Sequence, residues 1–472
     1  MFTTNLIYEF KLLIRNNWLV LLIGSVALLF VYATFNGNNN VDKRLSDITE
    51  MQAETNKKDS ILLMQLTKLE NGEKLDISSR QTPTNPIIVG RSYPRLAVMN
   101  PASLAFIATG QSDMFTHFKS PTVYGNNFAL DYSEMVNPVQ LLFGNFDLAF
   151  VIIYILPLII IAFTFNVLSK EKELGTLRLL GAQPISVRKW LFQKMSIRYL
   201  IFTAISLITL LIAIPIFSPN AFTDMNGVLG LLLLCAGYIL FWFVVSFVVN
   251  ITINESSRNA FALIGVWLLL VLIVPATINQ MGNSFYPTPS RLKMINEIRL
   301  IKKENEEAQN EIMSAYLRDH PELAQDEGEG NYGFWHRYFA SEKMMEEKTK
   351  PLLATYESQL KKQQQLISTF QYFSPAILMQ QALNNIAGTS EKHYNDYKKQ
   401  VVEFSDEWRN YFVPMLFNEQ KFTKAAMEKM PNFTYQNRID NNVWINLLAI
   451  IAISGLVFIL CTKKRLKNGV IQ

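Results

Sequence analysis

Charge in this chain of 472 residues collects in one short stretch. From Ser169 to Trp190 it reads SKEKELGTLRLLGAQPISVRKW, with strongly apolar runs on both sides. Glu171, Glu173 and Arg178 can form ion pairs, and Leu174, Leu177 and Leu180 recur every third residue. Leucines at that spacing lie along one side of a short helix. Gly181 would end that helix, and Pro184 with Ser186 would restart the chain into a second one, ISVRKWLFQKM. Such a pattern offers docking, with charges and apolar knobs presented to something other than lipid. Catalysis would need other groups. The histidines His117, His320, His336 and His393 are scattered without metal-ligand spacing, and no GxxxxGK(S/T) or GxSxG occurs. Cys235 and Cys461 both sit inside apolar runs, which excludes a disulfide framework and the usual thiolate metal sites.

The elements that must hold this stretch are apolar. Half the residues are hydrophobic while 18% are charged, so the two kinds are segregated along the chain. Six runs stand out: Trp18–Phe35, Phe150–Leu168, Tyr199–Phe217, Val228–Asn250, Phe261–Ile278 and Val443–Cys461. Each is roughly 18 to 23 residues, enough to cross ~30 Å of hydrocarbon as a helix. None contains Asp, Glu, Lys or Arg, whereas a soluble surface helix would show a polar face. The first run follows Lys11 and Arg15 as a signal peptide would, but it is long and VYATFNGNNN is a poor cleavage site. An uncleaved first span is expected. The fold class is therefore an α-helical polytopic membrane protein with six transmembrane helices.

Orientation follows from Lys and Arg in the short flanks. Lys11 and Arg15 precede the first span, seven basic residues from Lys170 to Arg198 follow the second, and Arg258 lies between the fourth and fifth. Lys463, Lys464, Arg465 and Lys467 follow the sixth. With six alternating spans all four regions share one side, which is read as cytoplasmic along with both termini. The loop SPNAFTDMNG, without Lys or Arg, falls on the other side. Reporter fusions at Gly72 and Gly328 are expected to read external, and fusions after Gln183 and Lys467 cytoplasmic. Any reversal would refute the alternation.

Residues 36–149 and 279–442 remain as two mainly helical ectodomains. Leu45, Ile48, Leu62, Leu66 and Leu69 recur at helical spacing in the first, as do Leu292, Ile295 and Ile298 in the second. Leu353, Tyr356, Leu360, Ile367 and Phe370 continue the second pattern, and HPELAQDEGEGNYG between them reads as the turn of a helical hairpin. MNPASLAFIATGQS and FSPAILMQQALNNIAGTS echo one another. Asn100 and Ser374 would be N-caps with Pro101 and Pro375 at N1, and Gly110 and Gly388 would be stops. Both would be short helices on the outer membrane surface or over a pore. Residues 1–17, with Leu6, Ile7, Phe10, Leu13 and Ile14 on one face, read as a helix in the cytoplasmic interface. Pro157, Pro215 and Pro275 fall in or near the ends of spans. No carboxylate lies at depth, which disfavours an intramembrane proton relay, and a net charge of +5 is too mild to suggest nucleic acid.

The stretch EKELGTLRLLGAQPISVRKWLFQK closely resembles the segment after the second span of ABC-2-type exporter permeases, usually E-K-E-x-G-T-L, a leucine pair, Pro with Ser or Thr, and a basic end. YGNNFALDYSEMVNPVQLLFGNFD, and SPAILMQQALNNIAGTSEKHY with the later WRNYF, resemble the branch with large ectodomains, a domain family of unknown function (DUF3526). The resemblance implies an ABC-2 exporter-like fold in a bacterial inner membrane and a permease subunit without catalytic residues, cofactor or metal. Its partners would be a separate P-loop ATPase subunit and a second permease, identical or homologous, in contact with membrane lipid. It implies that residues 169–198 form a coupling-helix loop, with Glu171, Glu173, Gly175, Thr176, Leu177 and Arg178 contacting the ATPase. The spans lack charge, which favours an amphipathic cargo. A competing reading is a membrane adaptor or signalling protein whose ectodomains bind a partner.

Overall fold

A computed structural model describes residues 2–15, 17–73, 82–109, 117–124, 146–177, 187–307, 334–439 and 443–466. Six helices among them are long and apolar enough to cross a membrane: Trp18–Glu70, Leu148–Glu173, Lys189–Phe217, Met225–Thr252, Ser256–Phe285 and Val443–Leu460. Such runs become helices because a helix satisfies every backbone N–H and C=O within its own segment. The second and fourth are the most enclosed and the fifth the least.

Helix α1 (Phe2–Arg15) is separated from α2 (Trp18–Glu70) by Asn17, whose φ of 55° breaks the helical path. α2 does not stop where the first apolar run stops. It continues as one helix of 53 residues, about 80 Å long at 1.5 Å per residue, because the polar half keeps its own apolar stripe. Ile48, Leu62 and Leu66 on that stripe are buried. The first excursion thus begins as a rod.

The second span opens with the turn Leu148–Phe150, capped by Asp147 Oδ1 accepting from Phe150 N at 2.8 Å. It then passes through a π-helical turn, Val151–Ile155, into α3 (Leu156–Thr164). α4 (Ser169–Glu173) follows, and then α5 (Val187–Phe217), α6 (Met225–Thr252) and α7 (Ser256–Trp267). A second π-helical turn, Leu268–Ile273, leads into α8 (Val274–Phe285). The sixth span is helix Val443–Leu466. α6 lies at the centre, where Gly230 lets Val443 approach and Gly237 lets Leu447 approach. Two of the three prolines named from sequence follow the π turns, and each lacks the N–H that would close the turn before it. The Tyr238 hydroxyl donates to Ile153 O at 3.1 Å, and the Ser374 hydroxyl donates to Leu270 O at 2.7 Å. Pro215 instead sits inside α5.

Beyond the spans, both long excursions build one head with a shared apolar core. Leu62, Leu66, Ile87 and Val89 of the first pack with Phe339, Tyr397, Trp408 and Phe412 of the second. Polar contacts bind them: Trp408 Nε1 donates to Gly90 O at 3.0 Å, Tyr397 OH to Ala97 O at 3.1 Å, and Phe422 N to Thr84 O at 2.7 Å. A two-residue ribbon, β1 (Ala97–Val98) with β2 (Phe118–Lys119), is antiparallel. The helices of the second excursion are α9 (Arg291–Glu307), α10 (Phe334–Phe370), α11 (Pro375–Ile386), α12 (Glu391–Phe417) and α13 (Lys424–Glu428). α9 and α10 pack together, and the turn expected between them lies outside the described residues. Trp408→Ala is expected to destabilise this head by about 3–5 kcal/mol through the lost volume. Limited proteolysis in detergent should then cleave the head at lower denaturant while the spans stay intact.

The two echoing segments part company here. Ser374 caps α11, and Gly388 (φ +67°) ends it in a Schellman turn, with Thr389 N donating to Asn384 O at 3.0 Å. Asn100 caps no helix, which corrects the expectation for Pro101: the chain makes a single 3-10 turn, Ala105–Ile107, and Gly110 lies outside the described residues. The two segments nevertheless meet. Thr389 Oγ1 donates to Ala108 O at 2.7 Å, and Gly388 packs against Ala102.

Candidate functional site

The charged connection starts from a break in the second span. α3 ends at Thr164, and residues 165–168 form turns. The carboxamide of Asn250 on α6 bridges that break, donating to Thr164 O at 3.0 Å and to Ser246 O at 2.9 Å while accepting from Leu168 N at 3.3 Å. Ser246 Oγ donates to Thr164 Oγ1 at 2.7 Å. Buried backbone groups exposed by a break need partners, and here the fourth span supplies them. The second span is thereby stapled to the fourth just before the connection.

α4 is only five residues. Gly175, with φ +75°, ends it, so a stop already falls six residues ahead of Gly181. Gly175 adopts a left-handed backbone that would strain another residue. Thr176 and Leu177 return to helical conformation, and Arg178, Leu180, Gly181, Pro184 and Ser186 lie outside the described residues. The described residues resume at Val187 in α5, so VRKWLFQKM begins the third span's helix and is not a separate one.

Both motif glutamates bond to groups of the chain itself. Glu173 accepts from Ser256 N at 2.8 Å and from Ser256 Oγ at 3.0 Å. Ser256 is the first residue of α7, and the helix's own flanking Glu255 makes no side-chain cap. A carboxylate at that point satisfies an orphan N–H and complements the helix dipole, so Glu173 caps the fifth span from across the connection. Ser169 and Ser256 hydroxyls lie 2.8 Å apart and add to the joint. Glu171 accepts from the Thr176 hydroxyl and pairs with Lys194 Nζ on α5 at 3.2 Å. Leu174, which directly follows Glu173, is 65% exposed.

A buried ionic cluster continues this bracing. Glu9 of α1, 4% exposed, receives Arg198 Nε at 2.7 Å and lies 3.8 Å from Lys194. Arg198 also donates through Nη1 to Phe163 O at 2.7 Å. Lys194 stands over the Trp190 ring, 4.7 Å from its centroid. One chain of contacts therefore runs from Glu9 through Arg198 and Lys194 to Glu171 and Thr176, joining α1, α3, α5 and the connection. Leu13 shares the buried face of α1 with Glu9, while Ile7, Phe10 and Ile14 are exposed on it.

Of the six residues singled out from sequence, Glu171, Glu173, Gly175, Thr176 and Leu177 are brought together here. The sequence reading missed Glu9, Lys194, Arg198 and Asn250 as members of the site. The i, i+4 spacing of Lys194 and Arg198, opposite the lone acid in residues 1–17, was the available signal. These features define a mainly helical protein with six helices able to span a membrane, a braced charged connection at one end and a folded head at the other. Residues 291–436, which make up much of the head's second excursion, match the family described as a domain of unknown function (DUF3526). No curated protein matches the chain.

Proposed function

We propose that this chain is the permease subunit of an ABC-2-type exporter, driven by ATP hydrolysed on a separate P-loop ATPase. The observation that carries the reading is the bracing of residues 169–177. A connection that merely joined two spans would leave its glutamates without partners in the chain. Here they tie a short, stiff element to α5 and α7, and Leu174 is left exposed beside them. Rigid-body motion delivered to such an element passes directly to the spans.

In this reading Glu171 and Glu173 brace the element from within. Leu174, Gly175, Thr176, Leu177 and Arg178 meet the ATPase. The connection and both termini face the cytoplasm of a bacterial inner membrane, and the head lies outside. Two permeases, identical or homologous, enclose the path. The match to DUF3526 over the head agrees with the branch whose motif the connection resembles. Purification of the wild-type chain in mild detergent is expected to bring down a P-loop ATPase in comparable amount. Recovery of the folded chain with a partner bound to the head and no ATPase would overturn this reading in favour of a membrane adaptor.

A further inference from the structure

α11 is not a surface helix. Its N-cap, Ser374, is bonded to Leu270 O, which lies about 21 Å along the fifth span from Ser256 at 1.5 Å per residue. Its other end, Ile386, packs with Val443 beside Gly230, near the head-side ends of the fourth and sixth spans. The helix therefore climbs through the head-side half of the membrane thickness. Leu378, Met379, Ala382, Leu383 and Ile386 are buried against those spans.

The opposite face carries carboxamides. Gln380, Gln381, Asn384 and Asn385 follow one another at helical spacing, and all four are half-buried. Gln380 Nε2 donates to Asn384 Oδ1 at 2.9 Å. The side chains of Gln381 and Asn385 make no hydrogen bond among the described residues. Carboxamides facing hydrocarbon without partners are costly, and polar groups at such depth border water or protein. No Asp, Glu, Lys or Arg occurs from Pro375 to Ser390, so nothing on this helix could neutralise an ion. A carboxamide supplies two donors and an acceptor, which suits hydroxyl and amide groups.

We propose that the Gln380, Gln381, Asn384 and Asn385 face of α11 lines a water-filled vestibule inside the membrane thickness and hydrogen-bonds uncharged, hydroxyl- or amide-bearing headgroups of amphipathic cargo. The assignment of cargo rests on the permease reading, whereas the vestibule does not. Single variants Gln381→Cys, Asn385→Cys, Leu448→Cys and Glu73→Cys in lipid nanodiscs would be reacted with a membrane-impermeant maleimide, with the wild-type chain as background. Leu448 is 65% exposed on the sixth span and serves as the lipid-facing control, and the exposed Glu73 is the water control. Gln381→Cys and Asn385→Cys are expected to react within about tenfold of Glu73→Cys, and Leu448→Cys at least ~100-fold more slowly, because hydrocarbon excludes the charged reagent. Reaction of Gln381→Cys as slow as that of Leu448→Cys would overturn the vestibule.

The headgroup class is tested with two amphiphiles of equal chain length, both below micelle formation. Octyl glucoside is expected to slow labelling of Gln381→Cys about fivefold or more by occupying the hydrogen-bonding face. Octyltrimethylammonium should leave it unchanged. Equal protection by both, or by neither, overturns the uncharged-headgroup assignment. Fast labelling in a chain that recruits no ATPase would sink the permease reading and leave the vestibule standing.

Discussion

Under the permease reading, Leu174→Asp is expected to abolish capture of the ATPase while leaving the chain inserted and folded. Leu174 is largely exposed, so the substitution removes little of the chain's own packing. Surface changes away from structural features usually stay within about 0.5 kcal/mol. In a docking pocket the same carboxylate would be buried without a partner, at about 3–5 kcal/mol, a loss of roughly two orders of magnitude or more in affinity. Leu177→Asp should act in the same direction, but Leu177 is half-buried and its change also disturbs the chain. Deleting residues 171–178 removes both the brace and the docking element, and should abolish capture with membrane insertion intact. The measurement is the amount of ATPase recovered per permease in mild detergent, with head proteolysis as the folding control. Undiminished recovery with Leu174→Asp and with the deletion would remove the coupling role from this stretch.

The six spans could be read from sequence because hydrocarbon imposes a local rule, a long run without charge. Capping followed the same logic at Ser374 and Gly388, where local grammar and tertiary packing agree. At Asn100 they disagree. Arg44 donates to Met99 O, Asp147 accepts from Thr109 N, and Thr389 donates to Ala108 O. Those long-range bonds hold residues 99–109 in a non-helical path against Gly37, where Phe106 O leaves no room for a side chain. The shared core of the head was hidden for a related reason. Each excursion shows helical spacing, yet nothing in that spacing says that Trp408 will meet Gly90.

The site was half legible. Residue types and spacing marked the 169–177 element as something more than a linker, and the resemblance supplied a role for it. What spacing could not show is the direction the charges face. Glu173, though exposed, is tied to the chain itself, and the uncapped start of α7 at Ser256 supplies its partner. Gly175 ends α4 two residues after the Glu173 joint, a stop that the leucine spacing does not announce. Asn250 closes a break in a span 86 residues away, and no local pattern announces that.

Glu9→Ala is expected to release α1 from the rest of the protein. Glu9 is the carboxylate that both Arg198 and Lys194 face, and Arg198 is itself 8% exposed. Removing one partner of a buried pair leaves the other charge uncompensated, which costs about 3–5 kcal/mol. Lys194 retains Glu171 and Arg198 retains Phe163 O, so the loss falls on α1. Hydrogen exchange at residues 2–15 in nanodiscs should speed up by about a hundredfold or more, while α6 keeps its protection. High salt should not mimic the change, because a buried pair is poorly screened. A double-mutant cycle with Arg198→Met should give a coupling of about 1–3 kcal/mol, since the two side chains touch. Unchanged exchange in Glu9→Ala would mean that the packing of Leu13 and the lipid contacts of Ile7, Phe10 and Ile14 hold the helix without the ionic cluster. Under the permease reading the same variant should still bind the ATPase, because Leu174 is untouched, and should lose the gain in hydrolysis that assembly brings. Binding and coupling would then separate, with the ionic chain from Glu9 to Glu171 responsible for the second.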